Sequence, residues 1–203
     1  FVRSAIESGA AVANYVELTN AERVDGQWRL DLTDLERGEQ FGLRARTIVN
    51  AAGPFVDALN ASWGVRTDHR IVYSKGIHLI VPRLTTTEHQ RVLAFFDDSG
   101  RLFYVIPMGM RSVIGTTDTR TDDPHAGVTD DDRSFLLGQI NKRLALPGPL
   151  TTNDIIAERC GVRPLVVPRR GDDRTDVDWT SLSRKHEIEL DAGRSVITVF
   201  GGK

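Results

Sequence analysis

The chain has 203 residues, 40% of them hydrophobic and 27% charged, enough apolar material for a sizeable core and too much for a disordered or fibrous chain. Its 26 basic and 28 acidic residues leave a formal charge of −2, so no global basic field recruits nucleic acid, and any anion site must be local. Length and patterning fit parts of two domains.

Taken in chain order, residues 1–8 read as the end of a helix, with Gly9 as its C-terminal cap. Residues 11–18 alternate like a strand. Residues 28–33 and 41–46 alternate around the polar stretch 34–40, which predicts a small antiparallel meander leading into the short apolar strand 47–50. A helix is expected over 55–63, because Phe55, Val56, Leu59 and Trp63 share a face, and Gly64 ends it. Residues 71–82 read as two strands or one broken strand. Strands at 92–96, 102–107 and 112–117, with turns at 97–100 and 108–110, continue an antiparallel sheet. Thr129 is an N-cap ahead of three aspartates, and Phe135, Leu136, Ile140 and Leu144 recur at helical spacing until Pro147. Residues 155–159 fit a short helix or a strand, 168–178 a polar loop, and 183–190 with 194–200 a final hairpin. The expected fold class is α+β: a mostly antiparallel sheet with flanking helices, and incomplete pieces of a Rossmann-like domain at its edges.

The single Cys160 excludes an intrachain disulfide framework and a thiolate zinc cage, and its apolar neighbours predict a buried, inert thiol. The histidines form no H-x-x-x-H or carboxylate pattern, so no metal site is expected. No window approaches the ~18 apolar residues of a spanning helix. Trp28, Trp63 and Trp179 are too scattered for a membrane belt and are expected in the core.

Several stretches carry chemistry. Asn50-Ala51-Ala52-Gly53-Pro54 follows a buried strand; its small residues suit either a flat cofactor or a tight strand-to-helix turn. In Ser74-Lys75-Gly76-Ile77-His78, strand alternation puts Ser74, Gly76 and His78 on one face. His78 is there either a proton shuttle in a cleft or a satisfied sheet histidine. Asp118 ends a strand, capping the next loop or meeting a cation. Arg163, between Val162 and Pro164, is partly buried by expectation, and such a guanidinium needs an internal partner or an anion. Gly201-Gly202-Lys203 ends an apolar strand with a pair of glycines and a cation, a setting for close approach to an anion. Arg163, Arg184 and Lys203 facing one pocket would suit a small phosphate ester.

V-N-A-A-G-P-F-V-D (residues 49–57), S-K-G-I-H-L-I-V-P (74–82), V-I-G-T-T-D-T (113–119), C-G-V-R-P-L (160–165), S-R-K-H (183–186) and V-F-G-G-K (199–203) occur in one order. That order resembles the FAD-dependent, quinone-linked glycerol-3-phosphate dehydrogenases and their oxidase cousins of the D-amino-acid-oxidase-like superfamily, over nearly the whole chain. The resemblance implies oxidation of sn-glycerol 3-phosphate to dihydroxyacetone phosphate by hydride transfer to FAD, with electrons passed on to quinone. It implies Arg163 as the catalytic residue beside substrate and flavin, assisting alkoxide formation or phosphate binding, Arg184 and Lys203 as phosphate-binding cations, and His78 near the substrate. Ala52 and Gly53 match the cofactor-contacting turn, Val16 lies more loosely in the adenine-side region, and Ser74, Gly76 and Gly202 fall toward the flavin.

In those terms, residues 1–70 are expected to be part of the FAD domain with the meander, 71–185 the substrate-binding domain, and 186–203 return strands to the FAD domain. The G-x-G-x-x-G fingerprint would precede Phe1, and further sequence would follow Lys203. The expectation is therefore an internal fragment, inactive alone, of a cytoplasmic parent with room for peripheral attachment to the inner face of the cell membrane. Two alternatives stand beside this reading: another amine or hydroxy-acid oxidase of the superfamily, in which Arg163 grips a carboxylate, and a non-catalytic interaction module.

Overall fold

The computed structural model describes residues 1–84, 91–98, 100–169 and 185–201. Along them run α1 (Val2–Glu7), β1 (Val16–Val24), β2 (Gln27–Asp34), β3 (Glu39–Ala45), β4 (Ile48–Asn50), α2 (Val56–Ser62), β5 (His69–Pro82), β6 (Leu93–Phe96), β7 (Leu102–Met108), β8 (Arg111–Gly115), β9 (Thr119–Thr121), α3 (Asp130–Arg143), β10 (Ala157–Pro168), β11 (Glu187–Asp191) and β12 (Val196–Phe200). The result is the expected α+β class, dominated by antiparallel sheet. Contacts divide the chain into two units: Phe1–Ala52 with Val56–Asp68 and Ile188–Val199, and Gly53–Phe55 with His69–Glu187 and Phe200–Lys203.

In the first unit, α1 closes as expected: Gly9 takes φ +89, its N–H bonds Ile6, and the Ala10 N–H reaches back to Ala5, satisfying two carbonyls of the last turn. The first strand does not span 11–18. It begins at Val16, opposite Asp34 at the end of β2, and runs on to Val24 before turning through Asp25 and Gly26 at φ 50° and 78°. Two consecutive positive φ values suit a tight hairpin turn, whose twist matches the strands it joins. β2 and β3 complete the meander. Its core holds Trp28, Ile48, Val65 and Val196, with Trp63 tilted against Trp28 at a centroid separation of 6.1 Å. The Trp28 indole N–H donates to the Arg194 carbonyl at 2.9 Å, which ties the meander to the turn before β12. A second sheet runs β11-β12-β4, with β12 parallel to β4. Trp179 lies outside the described residues.

The second unit is a six-stranded sheet in the order β10-β5-β8-β7-β6, with β9 also on β5. The expected break in 71–82 is absent: β5 is one continuous 14-residue strand. It pairs with the whole of β10 over residues 69–80, while its other edge changes partner from β9 at residues 73–75 to β8 at residues 78–82. Where the partners change, the Ile77 N–H donates to the Thr117 hydroxyl at 3.1 Å, so no donor is lost. Of residues 155–159, those from Ala157 on are strand, the start of β10.

One face of this sheet is apolar. Ile77, Leu79 and Val81 of β5, Phe103 and Val105 of β7 and Ile114 of β8 pack against Leu136, Leu137 and Ile140 of α3. The helix is fixed at its start by a capping box between Thr129 and Asp132, and by the buried ion pair of Lys75 with Asp132 at 2.5 Å. Residues alternate across a strand, so the side chains of Ser74, Gly76 and His78 stand on the opposite face. Cys160 corrects the sequence expectation. It is exposed, with its thiol against the Ala126 carbonyl at 3.0 Å, because β10 is the end strand of the sheet path and its apolar neighbours do not enclose it.

Candidate functional site

The helix-free face of the second unit is built by pairing β5 with β10. Register sets Arg163 opposite Ser74, Gly161 opposite Gly76, and Arg159 opposite His78; on the other edge of β5, Gly115 stands opposite His78. Three glycines thus line a floor with cationic and imidazole side chains around it.

Two of those glycines are there to let a large side chain lie flat. A Cβ at Gly76 would stand 2.3 Å from both terminal nitrogens of Arg163, and one at Gly115 would stand 2.6 Å from the His78 ring. The Arg163 guanidinium lies across the strand and donates from Nη2 to the Thr116 hydroxyl at 3.0 Å and from Nη1 to the Thr117 carbonyl at 3.4 Å. Asp118 Oδ1 stands 3.6 Å from Nη1 and accepts a hydrogen bond from the buried Ser74 hydroxyl. With its side chain 17% exposed, Arg163 is largely dry yet still open to an incoming anion.

The sequence-predicted residues fall in three places. Ser74, Gly76, His78 and Arg163 come together on the face just described. Val16, half-buried at the start of β1, and Ala52, beyond β4, belong to different sheets of the first unit. Arg184, Gly202 and Lys203 lie outside the described residues, so the convergence of three cations is not part of the geometry here. Gly201 is a glycine for an internal reason: at φ +67, a Cβ would meet Val166 at 2.7 Å.

Sequence reasoning passed over Arg159 and gave Thr116 no role of its own. Arg159 shares the face of Arg163 by strand alternation, a signal hidden while 155–159 remained open between helix and strand. A cavity of about 330 Å³ adjoins this cluster: Thr116, Thr117, Asp118 and Arg101 are part of its wall, with Lys75 and Phe135 among others, whereas His78 and Arg163 are not.

The turn after β4 fits a cofactor's approach. β4 runs parallel to β12, and ligands of doubly wound folds sit beyond the C-terminal ends of parallel strands. Gly53 takes φ +57, with no atom within 4 Å of where its Cβ would stand, so the backbone there offers open space. The buried Asn50 shapes the approach, accepting from the Ala52 N–H at 3.3 Å and donating to Val56 and Asn60. The Tyr73 hydroxyl donates to the Pro54 carbonyl at 2.9 Å.

The signature of the FAD dependent oxidoreductases matches residues 1–189. The chain belongs to this family. Within it, the chain is 31% identical over 211 residues to the mitochondrial glycerol-3-phosphate dehydrogenase of Bos taurus, covering 98% of this chain and 28% of that protein. It is 29% identical over 210 residues to the aerobic glycerol-3-phosphate dehydrogenase of Staphylococcus epidermidis, covering 100% and 36%. The solved glycerol-3-phosphate dehydrogenase from Bacillus halodurans, complexed with FAD, superposes with a TM-score of 0.79 at 26% identity, over 99% of this chain and 37% of that one. This member of the FAD dependent oxidoreductases therefore spans about a third of the length of the curated relatives it matches.

Proposed function

We propose that this chain is part of a flavoprotein that oxidises sn-glycerol 3-phosphate to dihydroxyacetone phosphate. The observation that carries the reading is the Arg163 guanidinium laid over Gly76, on the same face as His78, in a chain whose relatives bear that enzyme's name. In this reading residues 1–70 and 186–203 belong to the FAD domain, and 71–185 to the substrate domain.

FAD, when bound, supplies the hydride-accepting chemistry. Ala52 and Gly53 would hold it, and Val16, Ser74, Gly76 and Gly202 would be its further binding residues, Val16 for the adenine side. Arg163 binds an anionic oxygen of the substrate and fixes its orientation, which matters because a small misplacement of the reacting carbon costs much of the rate. His78 takes up the proton of the substrate's secondary hydroxyl. Arg184 and Lys203 neutralise the phosphate. Downstream, the electrons reach a quinone, with the parent in the cytoplasm at the inner face of the membrane. Among the described residues no helix is long and apolar enough to cross a membrane.

Turnover by the full-length protein with glycerol 3-phosphate, set against glycerol, lactate and glycine, tests the reading. Activity confined to the phosphate ester is expected. Preference for a carboxylate, or purification without bound flavin, overturns it.

A further inference from the structure

Arg163 is held on one side by three consecutive residues, and they are not equivalent. Thr116 and Thr117 offer neutral oxygens, whereas Asp118 brings a carboxylate to 3.6 Å from Nη1. That carboxylate is itself fixed. Ser74, fully buried, donates to its Oδ1; Arg101 Nη1 donates to the Asp118 main-chain carbonyl at 2.7 Å, and Arg101 Nη2 stands 4.0 Å from Oδ2. A largely dry guanidinium without a counter-charge is costly, and a pinned carboxylate removes that cost while setting the direction of the fork. Counting Arg101 and Arg163 against Asp118, the cluster keeps a surplus positive charge, so an anion is still attracted.

We propose that Asp118 is the positioning residue for Arg163: through the Ser74 hydroxyl and the Arg101 contact it locks the guanidinium across Gly76, so that its outward edge meets the substrate anion. Asp118 does not touch substrate and acts through Arg163. This rests on the reading of Arg163 as the substrate-facing cation.

The test uses the full-length flavoprotein with Asp118→Asn, Arg163→Ala and the double variant. Asp118→Asn raises KM for glycerol 3-phosphate about tenfold, the scale of a partly buried ion pair, with kcat less affected and flavin content unchanged. In the Arg163→Ala background the same substitution changes kcat/KM by less than about twofold, because its only route is already gone. Multiplying effects, or an unchanged KM in Asp118→Asn, overturn the proposal.

Should Asp118→Asn fail to fold, Ser74→Ala decides. A roughly threefold or larger rise in KM supports the lock, and no rise contradicts it. A readout independent of turnover is labelling of Arg163 by phenylglyoxal, followed by peptide mass spectrometry. Loss of the carboxylate releases the guanidinium from its fixed direction and speeds labelling roughly fivefold, and an unchanged rate overturns the proposal. If the wild-type protein does not oxidise glycerol 3-phosphate, the functional reading fails while the labelling still decides the role of Asp118.

Discussion

The guanidinium of Arg163 fills the space that any side chain at residue 76 would need, with both terminal nitrogens 2.3 Å from the position of a Gly76 Cβ. The glycine and the arginine are one feature divided between two strands. His78 and Gly115 repeat it one residue pair along the sheet.

Gly76→Ala is therefore expected to displace the guanidinium rather than to break the strand. In the full-length protein kcat/KM for glycerol 3-phosphate falls about 100-fold, the scale of a misplacement near 1 Å. Stability falls by about 1–3 kcal/mol from overpacking. Steady-state kinetics and urea unfolding check the two parts separately.

The buried pair of Lys75 and Asp132 makes a second prediction. Their side chains are 8% and 7% exposed, so replacing one leaves an uncompensated charge indoors: Lys75→Met or Asp132→Asn costs about 3–5 kcal/mol, and the double variant costs less than the sum of the two. A double-mutant cycle from urea unfolding reads this directly.

Acid unfolding follows from the same pair. Burial pushes the Asp132 carboxyl up, but hydrogen bonds from Lys75 and from the Thr129 backbone and hydroxyl outweigh it, and the group ends below its ordinary value. A carboxyl lowered by folding contributes stability that is complete above its unfolded pKa of about 4 and is lost as pH falls through the lower, folded value. Wild type thus loses stability steeply below pH ~4, and Lys75→Met gives a flatter acid limb. Thermal midpoints collected across that range test the slope.

Tyr73 connects β5 to the turn at Gly53 through its bond to the Pro54 carbonyl. Tyr73→Phe removes only that hydroxyl, and about 1 kcal/mol of stability is expected to go with it. If the turn at Gly53 holds FAD, the variant purifies with less flavin per chain. An unchanged ratio of flavin to protein absorbance contradicts that role for the turn.

Much of this was legible in the residues. The Thr129 cap and the spacing of Phe135, Leu136, Ile140 and Leu144 located α3, because a capping box and a helical stripe are local signals. Alternation put Ser74, Gly76 and His78 on one face. Other features depended on distant partners. Residues 71–82 read as two strands or one broken strand, since the guanidinium that requires Gly76 within one strand comes from 87 residues downstream. Cys160 read as buried because of its neighbours in sequence, whereas exposure on an end strand is set by which strands lie beside it. Asp25-Gly26 was readable as a hairpin turn and would have extended β1 to Val24.

The most direct test of the central claim is anaerobic addition of glycerol 3-phosphate to the full-length protein, wild type and Arg163→Ala, with the flavin absorbance recorded. Wild type is expected to bleach at millimolar substrate or below, and Arg163→Ala to need at least about 100-fold more, beyond what loss of a generic surface charge produces. Equal bleaching of both proteins would contradict the account.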